Sequence, residues 1–199
     1  MARNGLDVVQ SLGTEHTQRA ELCLVGQKEA FEACLNGAPL TTSLGILTQA
    51  AIEQMNGEAR AAFYIADDKG KSLRHVVGMP EDYARCVDGF IIAQDSLTCG
   101  LAAQTRQPVI TEDVMREPAW GPWRWLSEQF EFRGCWSFPV QSPEKVEGTF
   151  ALYFRGPRRP TETDLNLATV ITNAAAIIIS RTNQWERAKP LSDRHAGVG

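Results

Sequence analysis

The stretch CWSFPVQSPEKVEGTFALYF, Cys135 to Phe154, decides the fold of this chain. On both sides of its polar middle, every second residue is bulky and apolar: Trp136, Phe138, Val140, Phe150, Leu152 and Phe154. An alternation with a period of two is typical of a strand with two different faces. The stretch therefore predicts two long strands joined by a turn, with a bulky face that must pack against an apolar layer such as helices.

The opposite face of the same two strands carries smaller and more polar side chains. Its members are Ser137, Thr149, Ala151 and Tyr153. Such a mixed surface does not demand a full apolar cover, because part of it is polar. We therefore expect this face to form the back wall of a pocket.

The length and composition of the chain limit its class. A chain of 199 residues with 43% hydrophobic and 22% charged residues suits one folded domain, and it is too rich in apolar residues for a disordered chain. We expect that domain over residues 17–188, between flexible tails at residues 1–16 and 189–199.

The charge of the chain argues against one class of partner. The net charge of −4 predicts no nucleic-acid binding, because phosphate recognition needs a basic surface. Arginines cluster at Arg155, Arg158 and Arg159, within a loop rich in proline and glycine. A short run of this kind is typical of a solvated basic loop.

Cysteine usage and hydropathy indicate the compartment. The five cysteines are odd in number and include no C-x-x-C pair, so they predict neither a disulfide framework nor a zinc site. The N-terminus lacks the basic start and apolar run of a signal peptide. The most hydrophobic run, Ala174 to Ile179, is far shorter than the roughly 20 residues of a membrane span. We expect a cytoplasmic protein without membrane, metal or cofactor.

Helical periodicity marks both ends of the domain. Apolar residues fall at helical spacing between Leu24 and Leu35, and again in a stripe from Leu40 to Met55. A third helix should begin at Thr161 and run to about Lys189. Its T-x-x-D start pairs Thr161 with Asp164, which satisfies free amide groups and suits the helix dipole.

Short strands and helices occupy the middle of the chain. Ala61 to Ala66 and Leu73 to Val77 flank a D-D-K-G turn and predict a hairpin. The other predicted elements are a short helix after Pro80, a strand at Phe90 to Ile92, a helix from Ser96 to Gln107, a strand at Pro108 to Thr111, and helical turns around Trp123 to Phe130. This order is not βαβ alternation. It predicts an α+β domain with an antiparallel sheet.

Three segments of the chain resemble one known family. They are RAAFYIAD from Arg60, DSLTCGLAAQTRQPVITEDV from Asp95, and RGCWSFPV followed by VEGTFALYFRGPRRPTETDL. Their order between Leu40 and about Ser180 resembles a GAF domain, the small-molecule sensing and dimerising module of signalling proteins. The R-x-C-W-S-x-P and G-T-F-A-L-Y-F motifs are most similar to GAF domains beside PAS and histidine kinase modules in bacterial sensors. The resemblance implies about six strands, terminal helices on one sheet face and a pocket on the other.

Two ligands of the family do not suit this chain. Cyclic-nucleotide-binding members carry polar side chains at positions that resemble Ala62 and Ala151, and alanine cannot hydrogen-bond through its side chain. Many bilin-binding members have a histidine directly after the attachment cysteine. No cysteine of this chain is followed by histidine. The resemblance therefore leaves the ligand unnamed.

An enzyme of the family is an alternative. The GAF-type free methionine-(R)-sulfoxide reductase has a Cys-Gly pair where this chain has Cys99 and Gly100, and a thiol near a helix N-terminus favours its thiolate. The attacking cysteine of that enzyme lies in the long connection, where this chain has Pro118, Ala119 and Trp120. Because a disulfide-based cycle needs a second thiol, we interpret Cys99 as structural.

Three local features have both a functional and a structural interpretation. Trp120, Trp123 and Trp125 either cover a pocket or anchor a weakly packed connection, and we favour the anchor. The helix start at Ser96 to Cys99 either receives an anion or is capped by its own side chains, and we favour the cap. His75 stands alone and is interpreted as a core or surface residue.

These observations predict a non-catalytic sensing and dimerisation module of a bacterial two-component sensor. A small ligand should enter between the mixed sheet face and the tryptophan-rich connection; a structural module with a filled pocket is a further alternative. The terminal helices, Ala20 to Leu35 and Leu165 to Trp185, carry apolar surface beyond what one sheet covers, which predicts a homodimer through a helical bundle. The predicted ligand contacts are Ala62, Tyr64, Ile92, Ser96, Leu97, Thr98, Cys99, Trp120, Trp123, Ser137, Thr149, Ala151 and Tyr153.

Overall fold

A six-stranded antiparallel sheet forms the middle layer of the domain, in strand order β3-β2-β1-β6-β5-β4. The computed structural model describes residue 21 and residues 23–188; the predicted tails at 1–16 and 189–199 lie outside the described residues. The strands are β1 (Ala59–Ala66), β2 (Ser72–Val77), β3 (Phe90–Ile91), β4 (Val109–Thr111), β5 (Gly134–Gln141) and β6 (Val146–Phe154). The predicted α+β class with about six strands is confirmed.

The predicted hairpin of two long strands is β5 and β6. Their register runs from Gly134 opposite Phe154 to Val140 opposite Gly148. Strand β6 also pairs with β1 on its other side, so it is a central strand of the sheet. Close approach of β1 requires a glycine at Gly148, because a Cβ there would collide with the carbonyl oxygen of Tyr64.

Helices cover both faces of this sheet. They are α1 (described over residues 23–35), α2 (Leu40–Gln54), α3 (Glu81–Val87), α4 (Thr98–Thr105), a 3₁₀ helix (Pro118–Trp123), α5 (Arg124–Gln129) and α6 (Glu162–Ala188). Helices α1, α2 and α6 pack on the bulky face, while α3, α4, α5 and the 3₁₀ helix lie on the mixed face. The order of the predicted elements is thus confirmed, but the helical turns predicted around Trp123 to Phe130 begin earlier, at Pro118.

The bulky face of β5 and β6 forms the larger core. Trp136, Phe138, Phe150, Leu152 and Phe154 are all buried against the helices. Rings pack within this layer, with centroids 4.3 Å apart for Trp136 and Phe154. The apolar layer predicted for this face is therefore the helix layer, and burial of such large side chains is the main favourable term in the stability of the domain.

Helix α1 packs through small residues instead of its leucines. Cys23, Ala30 and Cys34 are buried, whereas Leu24 and Leu35 are 63% and 62% exposed. Small side chains allow close contact between helices, and a Cβ on Gly26 would lie 2.6 Å from the Cβ of Ala50 in α2. The helical spacing of the leucines correctly predicts a helix. These leucines, however, lie on the exposed side of α1 and not on the side that packs in the core.

Helix α6 begins as its sequence predicts. The amide of Thr161 donates to Asp164 Oδ2 at 2.8 Å, and the amide of Asp164 donates to Thr161 Oγ1 at 3.2 Å, which is a reciprocal cap. By length and composition α6 also meets the requirement for crossing a membrane. Its apolar content has a local explanation, because Ile171, Ala175 and Ile178 are fully buried in the core of the domain.

Arg158 contradicts the prediction of a solvated basic loop. Its Nη1 lies 2.8 Å from Glu58 Oε2, and its Nη2 lies 3.4 Å from Oδ1 of buried Asp164. The guanidinium lies 4.7 Å from the ring centroid of Phe154, and the Arg158 carbonyl accepts a hydrogen bond from Trp136 Nε1 at 3.0 Å. Arg158 thus connects β5, β6 and the start of α6, which the sequence pattern of charges does not reveal.

We predict that Arg158→Ala lowers the free energy of unfolding by about 2 kcal/mol. The substitution leaves the buried carboxylate of Asp164 without its cation and removes the packing on Phe154. The matched control is Arg155→Ala, which should change stability by less than about 0.5 kcal/mol because Arg155 is 86% exposed. Urea unfolding midpoints at unchanged slope measure both; equal effects of the two variants would contradict the role of Arg158.

Candidate functional site

A small cavity, lined mostly by buried side chains, lies between the mixed sheet face and the short helices. The space open to the centre of a water molecule is about 30 Å³, which is room for about two waters. Side chains from β1, β2, β3, α3, α4, β5, β6 and the tryptophan-rich connection meet there. The lining residues are Tyr64, Leu73, Tyr83, Val87, Phe90, Leu97, Thr98, Cys99, Trp120, Leu126, Cys135 and Tyr153.

All three tyrosines of the chain meet at this cavity. The hydroxyls of Tyr64 and Tyr153 are 2.7 Å apart, and the hydroxyl of Tyr83 donates to that of Tyr153 at 3.2 Å. The three residues come from β1, α3 and β6, and each is buried. The rings of Tyr83 and Tyr153 also contact each other and Phe132 edge to face, with centroids 5.1 Å apart for Phe132 and Tyr153. The cluster fixes α3 against the centre of the sheet.

Burial controls the ionisation of these tyrosines. It raises the pKa of Tyr64, Tyr83 and Tyr153 well above the ordinary value of 10.0, because a phenolate would lose its hydration. The hydroxyls are therefore neutral groups that donate and accept hydrogen bonds at physiological pH.

Helix α4 closes one side of the cavity with its first residues. Contrary to the predicted cap, the helix begins at Thr98 with Leu97 at the capping position and no side-chain cap. Ser96 instead donates its hydroxyl to the carbonyl of Ile91, so it is turned away from the cavity lining. Gly100 lets α4 approach β3, because a Cβ at this position would collide with the carbonyl oxygen of Ile91.

Two thiols face the same cavity. Cys99 enters from α4 and Cys135 from β5. Burial raises the pKa of both thiols, against the expectation that a helix N-terminus favours a thiolate at Cys99. Ser137 and Thr149 lie beside Cys99, and their hydroxyls partly offset the rise in the pKa of Cys99. Neither hydroxyl oxygen forms a hydrogen bond of good geometry with any described residue.

The three tryptophans of the connection have different environments. Trp120 is buried, lines the cavity and packs edge to face on Phe132. Trp123 contacts Phe90 with ring centroids 5.3 Å apart, and Trp125 is 45% exposed. The predicted helical turns are the 3₁₀ helix and α5. Only one of the three rings, Trp120, is therefore part of the cavity wall.

An ion pair holds the ends of the connection together. Arg133 donates from Nε to Asp113 Oδ1 at 2.8 Å and from Nη2 to Oδ2 at 2.5 Å. The hydrogen bonds from Arg133 lower the pKa of Asp113. The amide of Val114 also donates to the Arg133 carbonyl at 2.8 Å. Trp120 is thus carried on a loop that is fixed at its base.

Six of the predicted contacts line the cavity. They are Tyr64, Leu97, Thr98, Cys99, Trp120 and Tyr153. Ala62, Ala151, Ile92 and Trp123 belong to the apolar cluster around it, Ser137 and Thr149 lie behind Cys99, and Ser96 points to Ile91. The lining residues that the sequence reasoning missed are Leu73, Tyr83, Val87, Phe90, Leu126 and Cys135. A period-two pattern indicated Cys135, which alternates with Trp136, but no pattern related α3 to the sheet.

His75, the one histidine considered as a ligand residue, is not among the residues that line the cavity. His75 is half-buried on β2, its Nε2 accepts a weak hydrogen bond from the Met79 amide at 3.4 Å, and burial lowers its pKa. Among the residues that the structure describes, no group of three His, Cys, Asp or Glu side chains is placed to hold a metal ion.

Comparison with known families identifies the chain. The family model for the GAF domain matches residues 38–180, which is most of the chain, and the chain therefore belongs to the GAF domain family. The chain is 27% identical over 190 residues to the methyl sulfide methyltransferase-associated sensor of Methanosarcina acetivorans. That match covers 93% of this chain but only 19% of the sensor, so the chain spans about a fifth of that relative.

Solved structures agree on the fold. The GAF domain of a phosphoenolpyruvate-protein phosphotransferase from Coxiella burnetii superposes with a TM-score of 0.67 at 16% identity, covering 84% of this chain and 98% of that one. The free methionine-R-sulfoxide reductase of Neisseria meningitidis, solved with its substrate, gives 0.64 at 13% identity over 84% and 91% of the two chains. At such low identity the likeness shows a shared fold.

We predict that the three tyrosines remain protonated at about pH 11, where free tyrosine is mostly ionised. Because their pKa values are raised in the folded state, the unfolded chain loses these protons first. Stability should therefore fall above about pH 10, by up to about 1.4 kcal/mol per pH unit for each tyrosine. Phenolate absorbance and urea unfolding measure the two effects.

Tyr83→Phe is the control for this titration. It should remove one third of the phenolate absorbance that appears on unfolding, and it should reduce the slope of stability against pH in the same proportion. A normal tyrosine titration in the folded protein would contradict the burial of the cluster.

Proposed function

We propose that this chain is a non-catalytic small-molecule sensing and dimerisation module of a two-component type signalling protein. The observation that carries the proposal is the cavity lined by the three tyrosines, Trp120 and the start of α4. Membership of the GAF family and the similarity to a protein named as a sensor support a sensing role. The output would lie in another part of a longer protein or in a partner, because the sensor relative is much longer than this chain.

The sheet offers a route from the cavity to the outer helices. On β6, Tyr153 lines the cavity while its neighbours Leu152 and Phe154 face the helix layer. A ligand that displaces Tyr153 would therefore move the residues on which α6 packs. Arg158 follows directly after β6 and pairs with Asp164 in the first turn of α6, which couples the strand to the helix. Such a shift needs a ligand that binds one arrangement better than the other.

The sulfoxide reductase is the alternative from a different class. The presence of Cys135 in the same cavity as Cys99 supplies the second thiol that the connection lacks. However, attack on a sulfoxide needs a thiolate, and burial raises the pKa of both thiols. The similarity to the reductase is one of fold only. These points favour a non-catalytic role.

The dimer proposal rests on apolar residues that the domain leaves uncovered. Leu24 and Leu35 on α1 and Ile177 on α6 are each at least 60% exposed. The two helices are neighbours, because Gln27 Nε2 of α1 donates to the carbonyl of Val170 in α6 at 3.3 Å. A second copy of the chain would bring the same pair of helices, and the two pairs together would bury these side chains as a four-helix bundle.

The predicted cytoplasmic location stays part of this proposal. All five cysteines are free thiols, which suits a reducing compartment. The net charge of −4 supports a role without nucleic acid.

We predict that the purified protein retains a small molecule in native mass spectrometry. The variant Val87→Phe should lose it, because Val87 is buried at the cavity and a larger side chain fills the space. Ile91→Phe is the control. Because Ile91 is 65% exposed on β3, this substitution enlarges a side chain on the surface and leaves the cavity unchanged. Thermal melting shows that both variants fold. A bare chain mass for the wild type would favour the structural module with a filled pocket.

We predict a dimer at micromolar concentration in light scattering, and we predict that Ile177→Glu produces monomers. A glutamate in the helical bundle would bury an unpaired charge, which costs several kcal/mol. Ile91→Glu is the matched control, because Ile91 is 65% exposed and Ile177 is 60% exposed, but Ile91 lies on β3, away from α1 and α6. A monomer mass for the wild type, or the same effect from both variants, would contradict dimerisation through α1 and α6.

A further inference from the structure

We infer that the cavity takes a small uncharged molecule that has a hydrogen-bond acceptor on an otherwise apolar body. This inference rests on the proposed sensing function and names the chemical class of its ligand. It follows from the one hydroxyl hydrogen that the tyrosine cluster leaves without a strong acceptor, from the absence of charge in the lining, and from the size of the space.

The tyrosine cluster has one donor without a strong acceptor. Three hydroxyls carry three hydrogens, but only two hydroxyl pairs lie within hydrogen-bond distance, Tyr64 with Tyr153 at 2.7 Å and Tyr83 with Tyr153 at 3.2 Å. Each of these pairs uses one hydrogen, whichever residue donates. The third hydrogen is left with weak acceptors, either across the more distant pair of Tyr64 and Tyr83 or at the sulfur of Cys99, at a buried position where a poorly paired polar group is unfavourable. A ligand oxygen or nitrogen with a lone pair would accept it.

The wall behind the cavity holds two further hydroxyls without a hydrogen-bond partner among the described residues. Ser137 Oγ and Thr149 Oγ1 are buried and lack a hydrogen-bond partner among the described residues. Both lie beside Cys99, which lines the cavity. A molecule that displaces the Cys99 side chain would therefore meet further hydroxyl donors. These two hydroxyls are independent of the tyrosine cluster, and they can donate to a ligand as well as accept from it, so a ligand acceptor would find further donors here.

The lining excludes a charged ligand. None of the twelve lining residues is acidic or basic. Arg60 lies near the tyrosines, but its guanidinium donates to the carbonyls of Phe130 and Glu131 and does not line the cavity. An ion would lose its hydration without gaining an opposite charge, which is strongly unfavourable. Leu73, Val87, Leu126 and Trp120 instead offer apolar contact to the body of the ligand.

The size of the space sets the size of the ligand. Room for about two waters admits a molecule of only a few non-hydrogen atoms unless side chains move. Acetone, isobutene and acetate make a suitable set of probes, because they have the same branched shape and differ in the acceptor and the charge. Acetone is neutral with an acceptor, isobutene is neutral without one, and acetate is an anion.

Two proteins should be titrated with these probes: the wild type and the triple variant Tyr64→Phe/Tyr83→Phe/Tyr153→Phe. The triple variant removes donors and acceptors together and keeps the ring shapes, so it is expected to fold. Methyl resonances of Leu73, Val87 and Leu126 in a ¹H–¹³C spectrum report binding in both proteins. In the wild type, the ¹³C resonances of the phenolic carbons report the tyrosine hydroxyls directly. The chain has three tyrosines and all three belong to the cluster, so no other tyrosine signal overlaps with them.

We expect acetone to bind the wild type and to bind the triple variant about fivefold more weakly, as one neutral hydrogen bond is lost. Isobutene affinity should change by less than about twofold between the two proteins, and acetate should bind neither. Equal changes for acetone and isobutene, binding of acetate, or no binding of acetone to the wild type would each overturn the inference.

These outcomes separate the ligand class from the sensing function. If isobutene binds and acetone does not, the cavity still takes ligands and only the acceptor requirement fails. If no probe binds while native mass spectrometry finds a retained molecule, the sensing proposal survives and the inferred class is wrong. If no probe binds and no molecule is retained, both fail.

Discussion

Antiparallel pairing between β5 and β6 holds the alternate side chains of both strands on fixed sides of the sheet. From Gly134 opposite Phe154 to Val140 opposite Gly148, the register keeps the large rings on one face and the smaller side chains on the other. A slip of one residue would move every ring to the wrong face. The helix layer, the cavity and the position of α6 all depend on this register.

Burial has opposite effects on stability at the two faces of the sheet. On one face, large apolar side chains contact α1, α2 and α6 and supply most of the stability of the domain. On the other face, tyrosines, thiols and hydroxyls are buried with few hydrogen-bond partners of their own, which costs stability. Polar groups that are buried at a cavity with few partners are groups that a ligand could satisfy, which is the basis of the sensing role proposed above.

Arg158 and Tyr153 show how closely the two sides are connected. Tyr153 lies in the cavity, and five residues later Arg158 contacts Phe154 and the first turn of α6. Strand β6 therefore lies between the cavity and the helices that we propose as the dimer contact. The distance between input and output is about the thickness of one sheet, so a signal would need no long chain of contacts.

The sequence by itself determined the elements, the class of fold and the family. Period-two alternation gave β5 and β6, the T-x-x-D start gave the N-terminus of α6, and six of the predicted contacts line the cavity. These features are local, so neighbouring residues specify them. Only the tertiary structure decided that α3 brings Tyr83 to the other two tyrosines, that Cys135 joins Cys99, and that Arg158 is partly buried. Those contacts join residues far apart in the chain, and no spacing within one element encodes them.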